Sequence, residues 1–284
     1  MKLIDLKKYF LIFIAAALPH FVMAEQPFSV KEPITIALNK SSFPYHFKNE
    51  QGMPAGIMVD FWSLWAEKQN IDVEFIILDD WSDTLKLVAN GTIDLHAGLA
   101  INEDRQSLYD FTSPLFFHNS HVFVHKDIEG IDHLSQLQPY TLGVVKDSAH
   151  QSEINRLQPN LQVRVYENRK LMFDAAIKGE ILAFANLDKS FKEYSNYGQL
   201  SIEFPSYQKI NYYSGKYASA VTKGRENLLQ FIEQGVAKIS GNEKRLIEDQ
   251  WRQFNRSSNI LRFVFTPNLP PYMAISPEGN PQGL

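Results

Sequence analysis

Short apolar segments of strand length alternate with longer amphipathic segments along most of this 284-residue chain. Such alternation predicts an α/β fold, because a strand covered by helices is apolar along nearly its whole length. The predicted strands are 34–38, 73–78, 92–101, 140–145, 161–166 and 180–187. The predicted helices are 56–70, 79–91, 146–157, 167–179 and 188–198, and two more follow residue 224.

The first predicted helix has a wide apolar face. Met58, Phe61, Trp62 and Trp65 lie at the i, i+3, i+4 and i+7 positions of that helix. A stripe of this width is typical of a helix that packs on a core. We therefore predict a core role for these aromatic side chains and not a ligand box.

The predicted elements fall into two α/β groups. The chain crosses from the first group near 118–125 and returns near 211–220. We expect two lobes, with 31–119 and 216–256 in lobe 1 and 120–215 in lobe 2. A cleft between two such units is a frequent place for a small ligand.

The N-terminus has the pattern of an export signal. A basic segment, MKLIDLKK, precedes the ten-residue apolar run YFLIFIAAAL, and Val22 and Ala24 occupy the small-residue positions of a cleavage site. We predict that residues 1–24 are removed and that the mature protein is periplasmic. A membrane anchor is the alternative, although the apolar run is short for a bilayer span.

Cysteine content and charge narrow the function further. The chain has no cysteine, so an exported form must be stabilised by packing without disulfides. Its formal net charge is −4, and no basic cluster offers a surface for nucleic acid. The composition favours an extracytoplasmic domain that handles small molecules.

Residues 34–57 align without gaps over residues 261–284, at a constant offset of 227. The identical pairs are Pro44/Pro271, Tyr45/Tyr272, Gly52/Gly279, Pro54/Pro281 and Gly56/Gly283. Most of these residue types fix the shape of the backbone. We predict a duplicated domain, with 257–284 as a linker and the truncated start of a second module in cis.

Several stretches carry a family resemblance. They are GMPAGIMVDFW at 52–62, the segment from Trp81 to Phe116, and TLGVVKDSAHQSE at 141–153. Over residues 31–256 the chain resembles the family 3 periplasmic solute-binding proteins, which include the amino-acid-binding components of import systems. The resemblance implies a two-lobed periplasmic-binding-protein fold of type II, whose hinged lobes close on a small-molecule ligand, with no cofactor.

The segment LAINEDR is the first candidate binding element. Asn102 occupies a predicted helix N-cap, and Arg105 follows in the first turn. A cation there opposes the helix dipole, so the position indicates an anion beside it. In the family the arginine of this motif holds the α-carboxylate of the ligand, and the resemblance implies that role for Arg105. The alternative is a solvated surface arginine.

The strand before this segment presents Gly98 and Ala100 on one face. We expect the backbone there to be open to close approach by the ligand. Amino-acid binders of the family commonly carry a hydroxyl at one of these positions. Its absence weakens the case for an α-amino acid.

The resemblance implies that the turn KDSAH at 146–150, in lobe 2, forms the other half of the site. Ser148 is the candidate contact, and Asp147 is either the helix cap or a partner for a ligand ammonium group. The ammonium-binding carboxylate of the family corresponds to Asn186 or Asp188.

The resemblance also implies an aromatic wall at Phe43 and Tyr45. Core packing explains Phe43 equally well, and the recurrence of Tyr45 as Tyr272 favours a structural role for this tyrosine. His118, His121 and His125 lie in the first crossover without flanking carboxylates, so we predict no metal site.

Three functions fit the sequence. The first is the sensory input module of a membrane receptor, in which a downstream segment would cross the membrane and a histidine kinase or diguanylate cyclase would give the output. The second is the free binding component of an ABC-type importer. The third is an enzyme of the same fold, which we disfavour because no catalytic motif stands out.

Overall fold

The computed structural model describes residues 33–187 and 194–257, with short strand segments at 268–269, 273–275 and 281–282. The predicted signal peptide at 1–24 lies outside these ranges. The strands are β1 Ile34–Asn39, β2 Ser41–Ser42, β3 His46–Lys48, β4 Pro54–Ala55, β5 Val73–Leu78, β6 Leu95–Ala100, β7 Tyr109–Phe111, β8 Phe116–Val124, β9 Leu142–Val145, β10 Val163–Tyr166, β11 Ala183–Leu187, β12 Lys209–Thr222, β13 Asn268–Leu269, β14 Met273–Ile275 and β15 Pro281–Gln282. The helices are α1 Ile57–Gln69, α2 Trp81–Ala89, α3 Glu103–Gln106, α4 Ala149–Leu157, α5 Arg169–Ile177, α6 Tyr197–Glu203, α7 Glu226–Val236 and α8 Gly241–Ser257.

A mixed sheet runs through both lobes in the order β10-β9-β11-β8-β12-β6-β1-β5, and β7 pairs with β12. Lobe 1 holds the parallel strands β5, β1 and β6, while lobe 2 holds the parallel strands β10, β9 and β11. Between them, β8 and β12 form an antiparallel pair that connects the lobes. The predicted lobe boundaries at 119/120 and 215/216 fall inside these two strands. The predicted α/β fold class is confirmed.

Lobe 1 is built around the aromatic face of α1. Met58, Phe61, Trp62 and Trp65 are each fully buried, as the helical spacing predicts. The indole of Trp62 donates to the carbonyl of Ala97 at 2.8 Å, and Trp65 donates to a carbonyl of α7 at 3.0 Å. Both indole N–H groups therefore keep a hydrogen bond inside the core, where an unpaired one would be costly.

Lobe 2 has its own apolar core between its sheet and helices, with Val122, Val144, Ile154 and Ala183 fully buried. Of the predicted helix over 188–198, the described residues 194–196 are not helical, and the last two belong to α6, which begins at Tyr197. Residues 188–193 lie outside the described part of the chain. Within that part, no helix is both long enough and apolar enough to cross a membrane.

Two small antiparallel sheets repeat one another. The strands β2, β3 and β4 pair in the order β2-β3-β4, and β13, β14 and β15 pair as β13-β14-β15. Ser41 pairs with Phe47 in the first sheet, and Asn268 pairs with Ala274 in the second. Every strand boundary and pairing of the second sheet equals that of the first shifted by 227 residues. The sequence offset is therefore also an offset in backbone structure.

Candidate functional site

The cleft between the lobes contains two neighbouring cavities. The outer cavity, of about 500 Å³, lies between α2, α3 and α4. The inner cavity, of about 30 Å³, lies deeper, and Arg105 and Ser148 line both cavities. The larger volume belongs to the outer cavity, whereas the buried charged groups are concentrated around the inner one. The inner cavity is lined by Ser42, Trp81, Ala100, Arg105, His118, Ser148, Ala149, His150, Arg169, Leu187 and Tyr217.

The end of β6 and the single turn α3 position Arg105. Asn102 caps α3, since its side-chain oxygen accepts from the backbone N–H of Arg105 at 3.0 Å. The turn directs the guanidinium into the protein, and the residue is only 5% exposed. Its Nη1 donates to the carbonyl of Ala100 at 2.8 Å, and its Nη2 donates to the carbonyl of Asp147 at 3.0 Å. The solvated alternative for Arg105 therefore does not describe this side chain.

Burial leaves the charge of Arg105 incompletely compensated. Desolvation lowers the pKa of Arg105 to about 10, although nearby groups including Asp147 and Asp104 favour its charged form. No described carboxylate forms a salt bridge with it, and both of its acceptors are neutral carbonyls. The guanidinium carbon lies 5.7 Å from the centre of the Trp81 ring, a cation–π distance. A buried cation held by neutral groups is suited to an anionic ligand.

The lobe 2 turn places Ser148 and Asp147 differently. Ser148 is the N-cap of α4, accepting from Gln151 at 3.2 Å and donating to Val145 at 2.6 Å. The cap of this helix is therefore Ser148 and not Asp147, for which the sequence had suggested that role. Asp147 has a left-handed backbone with φ 55°, and its carboxylate accepts from the hydroxyl of Ser82 across the cleft at 2.7 Å. Asp147 lines the outer cavity and not the inner one.

Gly98 permits a close approach, but by another side chain. A Cβ at this position would lie 2.4 Å from the ring of Tyr217, which covers the strand. The backbone of Gly98 is buried beneath that ring, and its carbonyl lies 3.3 Å from Nε2 of His46. Ala100 does line the inner cavity. The aromatic surface of this cavity comes from Trp81 and Tyr217.

Phe43 and Tyr45 lie beside the site without lining either cavity. Phe43 is 1% exposed and packs edge-on against Phe47 and Trp251 in the lobe 1 core. Tyr45 stacks on Tyr217 with ring centres 4.5 Å apart. Its hydroxyl donates to the carbonyl of Phe117 at 3.1 Å, which fits the structural role that its recurrence suggests.

Asn186 lies at the site, together with an arginine that the sequence analysis missed. Arg169, the first residue of α5, is 8% exposed, and its Nε donates to the side-chain oxygen of Asn186 at 3.4 Å. Its Nη1 donates to Asn39 at 3.4 Å and to Ser42 at 3.2 Å. Desolvation lowers the pKa of Arg169 to about 10. The other candidate for the ammonium partner, Asp188, lies outside the described residues.

The sequence pattern that identified Arg105, an arginine in the first turn of a helix capped by asparagine, also occurs at Arg169. Asn168 caps α5 by accepting from the backbone N–H of Leu171 at 3.1 Å, so Arg169 is a cation at a helix N-terminus. Its position after β10 also places it at the carboxyl edge of the parallel strands, where ligands of α/β proteins gather.

Buried histidines around the cavity are neutral. Desolvation, aided by Arg105, lowers the pKa of His118 to about 4, and desolvation lowers the pKa of His46 to about 4. His150 also has a lowered pKa, chiefly through burial, and its Nδ1 lies 2.8 Å from the hydroxyl of Tyr212. Within the described ranges, no group of histidine and acidic side chains is arranged to hold a metal ion.

Polar side chains connect the lobes across the cleft. Asn102 donates to the hydroxyl of Ser152 at 2.9 Å, and Asn168 donates to Asp80 at 3.2 Å. Trp81 donates from its indole to the carbonyl of Asp147 at 3.2 Å, beside the bond from Arg105. These contacts hold a closed cleft whose interior carries positive charge.

Comparison with known proteins places these features in a family. The model of the bacterial extracellular solute-binding proteins, family 3, matches residues 34–254. The amino-acid-binding protein AabA of Dichelobacter nodosus is 26% identical over 200 residues, which cover 69% of this chain and 78% of AabA. The virulence sensor protein BvgS of Bordetella pertussis is 21% identical over 238 residues, or 82% of this chain, and the matched region spans only 19% of BvgS.

Solved structures show the same fold. A histidine kinase sensor domain with similarity to periplasmic binding proteins has a TM-score of 0.69 at 19% identity, covering 78% of this chain and 96% of that domain. The two lobes lie within residues 33–257, and the family model matches nearly the same part of the chain, residues 34–254. The chain belongs to the bacterial extracellular solute-binding proteins, family 3.

Proposed function

We propose that residues 33–257 bind a small carboxylate-bearing solute, an amino acid or a similar compound, in the cleft between the lobes. The observation that carries this proposal is the guanidinium of Arg105, which is buried at the lobe junction and donates to a carbonyl of each lobe without a described acidic partner. A carboxylate of the ligand would supply the missing negative charge through a bidentate pair.

Closure of the lobes is the mechanism we propose. Ligand bound to Arg105 in lobe 1 recruits the Asp147–Ser148 turn and the N-terminus of α4 from lobe 2. The two strands β8 and β12 are the natural hinge, because they are the strands that pass between the lobes. The ligand then stabilises the closed state by the difference between its binding free energies to the closed and the open state.

We further propose that this closure is a signal, and that the module is the periplasmic input of a membrane-tethered receptor. The repeated small sheet at an offset of 227 residues supports a second module in cis. The similarity to BvgS, of which the matched region is a minor part, supports placement within a longer sensor chain. An output domain downstream, such as a histidine kinase or diguanylate cyclase, belongs to the same proposal.

A free periplasmic component of an ABC-type importer is the second candidate. The similarity to AabA, named as an amino-acid-binding protein, favours it. Both candidates use the same binding chemistry and differ in the partner that reads the closed state. The matched relatives are binding and sensor proteins, so we propose no enzymatic activity for these residues.

Ligand binding is tested by a thermal-shift screen of the purified chain against L-amino acids, monocarboxylates, dicarboxylates and polyamines. A ligand that binds only the folded state raises its melting temperature. We expect a carboxylate to stabilise the protein and the effect to disappear in Arg105→Gln. A stabilising polyamine, or a carboxylate effect that survives in Arg105→Gln, would contradict the proposed site.

The receptor role is tested by sequencing the gene that encodes this chain. Sequencing the reading frame beyond the codon for Leu284 should show the remainder of a second binding module, a membrane-spanning segment and an output domain. A stop codon directly after Leu284 would overturn the receptor proposal and leave the importer component as the better account.

A further inference from the structure

Two buried arginines, one from each lobe, line the same inner cavity. Arg105 comes from lobe 1 and Arg169 from lobe 2, and they are 5% and 8% exposed. The acceptors of Arg169 are the side-chain oxygens of Asn39, Asn186 and Ser42, which are all neutral. The described residues provide no salt bridge to either guanidinium, although burying an unpaired charge is costly.

Each guanidinium keeps donors for a further partner. Among the described residues, none accepts a hydrogen bond from Nε of Arg105 or from Nη2 of Arg169. Beside them, His118 is 4% exposed and lines the cavity, and its Nε2 has no hydrogen-bond partner in the described structure. The cavity is therefore lined by donor groups from both lobes.

Both guanidinium groups lie near the same apolar surface, the ring of Trp81. The guanidinium carbons of Arg105 and Arg169 lie 5.7 Å and 5.9 Å from the centre of the same Trp81 ring. Leu187 and Ala149 complete the apolar lining from lobe 2. A ligand matched to this arrangement has two anionic ends joined by a short hydrocarbon segment.

We propose, building on the proposed function, that the ligand is a small dicarboxylate without a cationic group. One carboxylate binds Arg105, the other binds Arg169, and the carbon chain lies against Trp81. Arg105 and Arg169 are the charged side chains among the described residues that line the inner cavity, so a cationic group on the ligand would meet like charge there. Asn186, next to Arg169, presents an amide whose nitrogen has no hydrogen-bond partner in the described structure.

Binding of such a ligand requires the cleft to widen. The inner cavity, of about 30 Å³, has room for one or two water molecules. The outer cavity of about 500 Å³ adjoins it at Arg105 and provides the way in. The bond from Arg105 to the carbonyl of Asp147 is the one that an incoming carboxylate would replace or share.

The test is isothermal titration calorimetry with succinate and glutarate as dicarboxylates, propionate as a monocarboxylate and L-alanine as an α-amino acid. We expect succinate or glutarate to bind at least about tenfold more tightly than propionate or L-alanine, because only they pair with both arginines. In Arg169→Gln, dicarboxylate affinity should fall at least about tenfold while propionate affinity changes less than about threefold.

A second variant tests the role of Arg169 independently, in case Arg169→Gln does not fold. Asn186→Asp keeps the side-chain volume and places a negative charge beside Arg169, so it should also weaken dicarboxylate binding selectively. Equal binding of all four compounds, tightest binding of L-alanine, or dicarboxylate affinity unchanged in both variants would overturn the inference. If L-alanine or propionate bound in a manner that required Arg105 but not Arg169, the proposed function would stand and the dicarboxylate inference would fail.

Discussion

Nη2 of Arg105 in lobe 1 donates a 3.0 Å hydrogen bond to the main-chain carbonyl of Asp147 in lobe 2. The same carbonyl accepts from the indole of Trp81 at 3.2 Å. The residue we assign to the ligand carboxylate is thus also a residue that holds the lobes together. We therefore propose that ligand binding and closure are coupled at this one side chain.

Ser82→Ala should weaken ligand binding without unfolding the protein. The hydroxyl of Ser82 donates to the carboxylate of Asp147 across the cleft at 2.7 Å, a bond that we expect to break when the lobes separate. A hydrogen bond to a charged group contributes about 1.5 to 3 kcal/mol, so the affinity should fall by roughly tenfold or more. Calorimetric titration with the best ligand of the thermal-shift screen measures the change.

The matched control for Ser82→Ala is Ser201→Ala, which removes a hydroxyl bonded to Gly198 within lobe 2. Its affinity should equal that of the wild type. If Ser82→Ala and Ser201→Ala bind ligand equally well, the bond across the cleft does not stabilise the liganded state.

Stability should fall between pH 6.5 and pH 5. His46 and His118 have pKa values of about 4 in the folded protein, below the ordinary value of 6.5 that applies after unfolding. In this window the unfolded chain binds more protons than the folded one, so the free energy of unfolding decreases as the pH falls. Each histidine should contribute up to about 2 kcal/mol by pH 5.

Urea unfolding followed by tryptophan fluorescence at several pH values measures this dependence. The window lies above the range in which most carboxylates titrate, which separates the histidine contribution from general acid denaturation. His118→Asn should reduce the slope. A free energy of unfolding that stays constant from pH 7 to pH 5 would show that these histidines are not held neutral.

Gly98→Ala should destabilise lobe 1 and disturb the site. The added Cβ would meet the ring of Tyr217 at 2.4 Å and the side chain of Met58 at 3.1 Å. Overpacking of this kind costs about 1 to 3 kcal/mol. Thermal unfolding measures it, with Gly198→Ala as the control, since a Cβ there meets nothing within 4 Å. Equal melting temperatures for the two variants would contradict the packing described here.

Local patterns were enough to predict much of the fold and one element of the site. The apolar spacing of α1 predicted a stripe that is buried in the core, and the cap at Asn102 predicted the turn that positions Arg105. Both depend on residues within a few positions of each other, for which helical periodicity and capping are sufficient rules.

The rest of the site depends on contacts between distant parts of the chain. Tyr217 covers Gly98 from the return crossover, and Phe43 packs against Trp251 of the last helix. Arg169 reaches Ser42 across the cleft, a contact between residues far apart in sequence. No local pattern specifies these pairings, because they are set by sheet order and by the approach of the lobes.

The coupling of ligand binding to closure is tested by measuring the distance between the lobes. The chain has no cysteine, so spin labels can be attached at Asp83→Cys in α2 and Arg156→Cys in α4, on opposite sides of the outer cavity. Pulsed electron spin resonance then gives the distance distribution with and without the carboxylate that most raises the melting temperature. Arg105→Gln is compared with Arg245→Gln, which alters an exposed arginine of α8.

We expect the carboxylate to narrow the distribution toward its shorter distances in the wild type and in Arg245→Gln, and to leave the distribution of Arg105→Gln unchanged. A distribution that does not respond to the carboxylate, or that responds equally with and without the guanidinium of Arg105, would contradict the claim that this arginine couples ligand binding to closure.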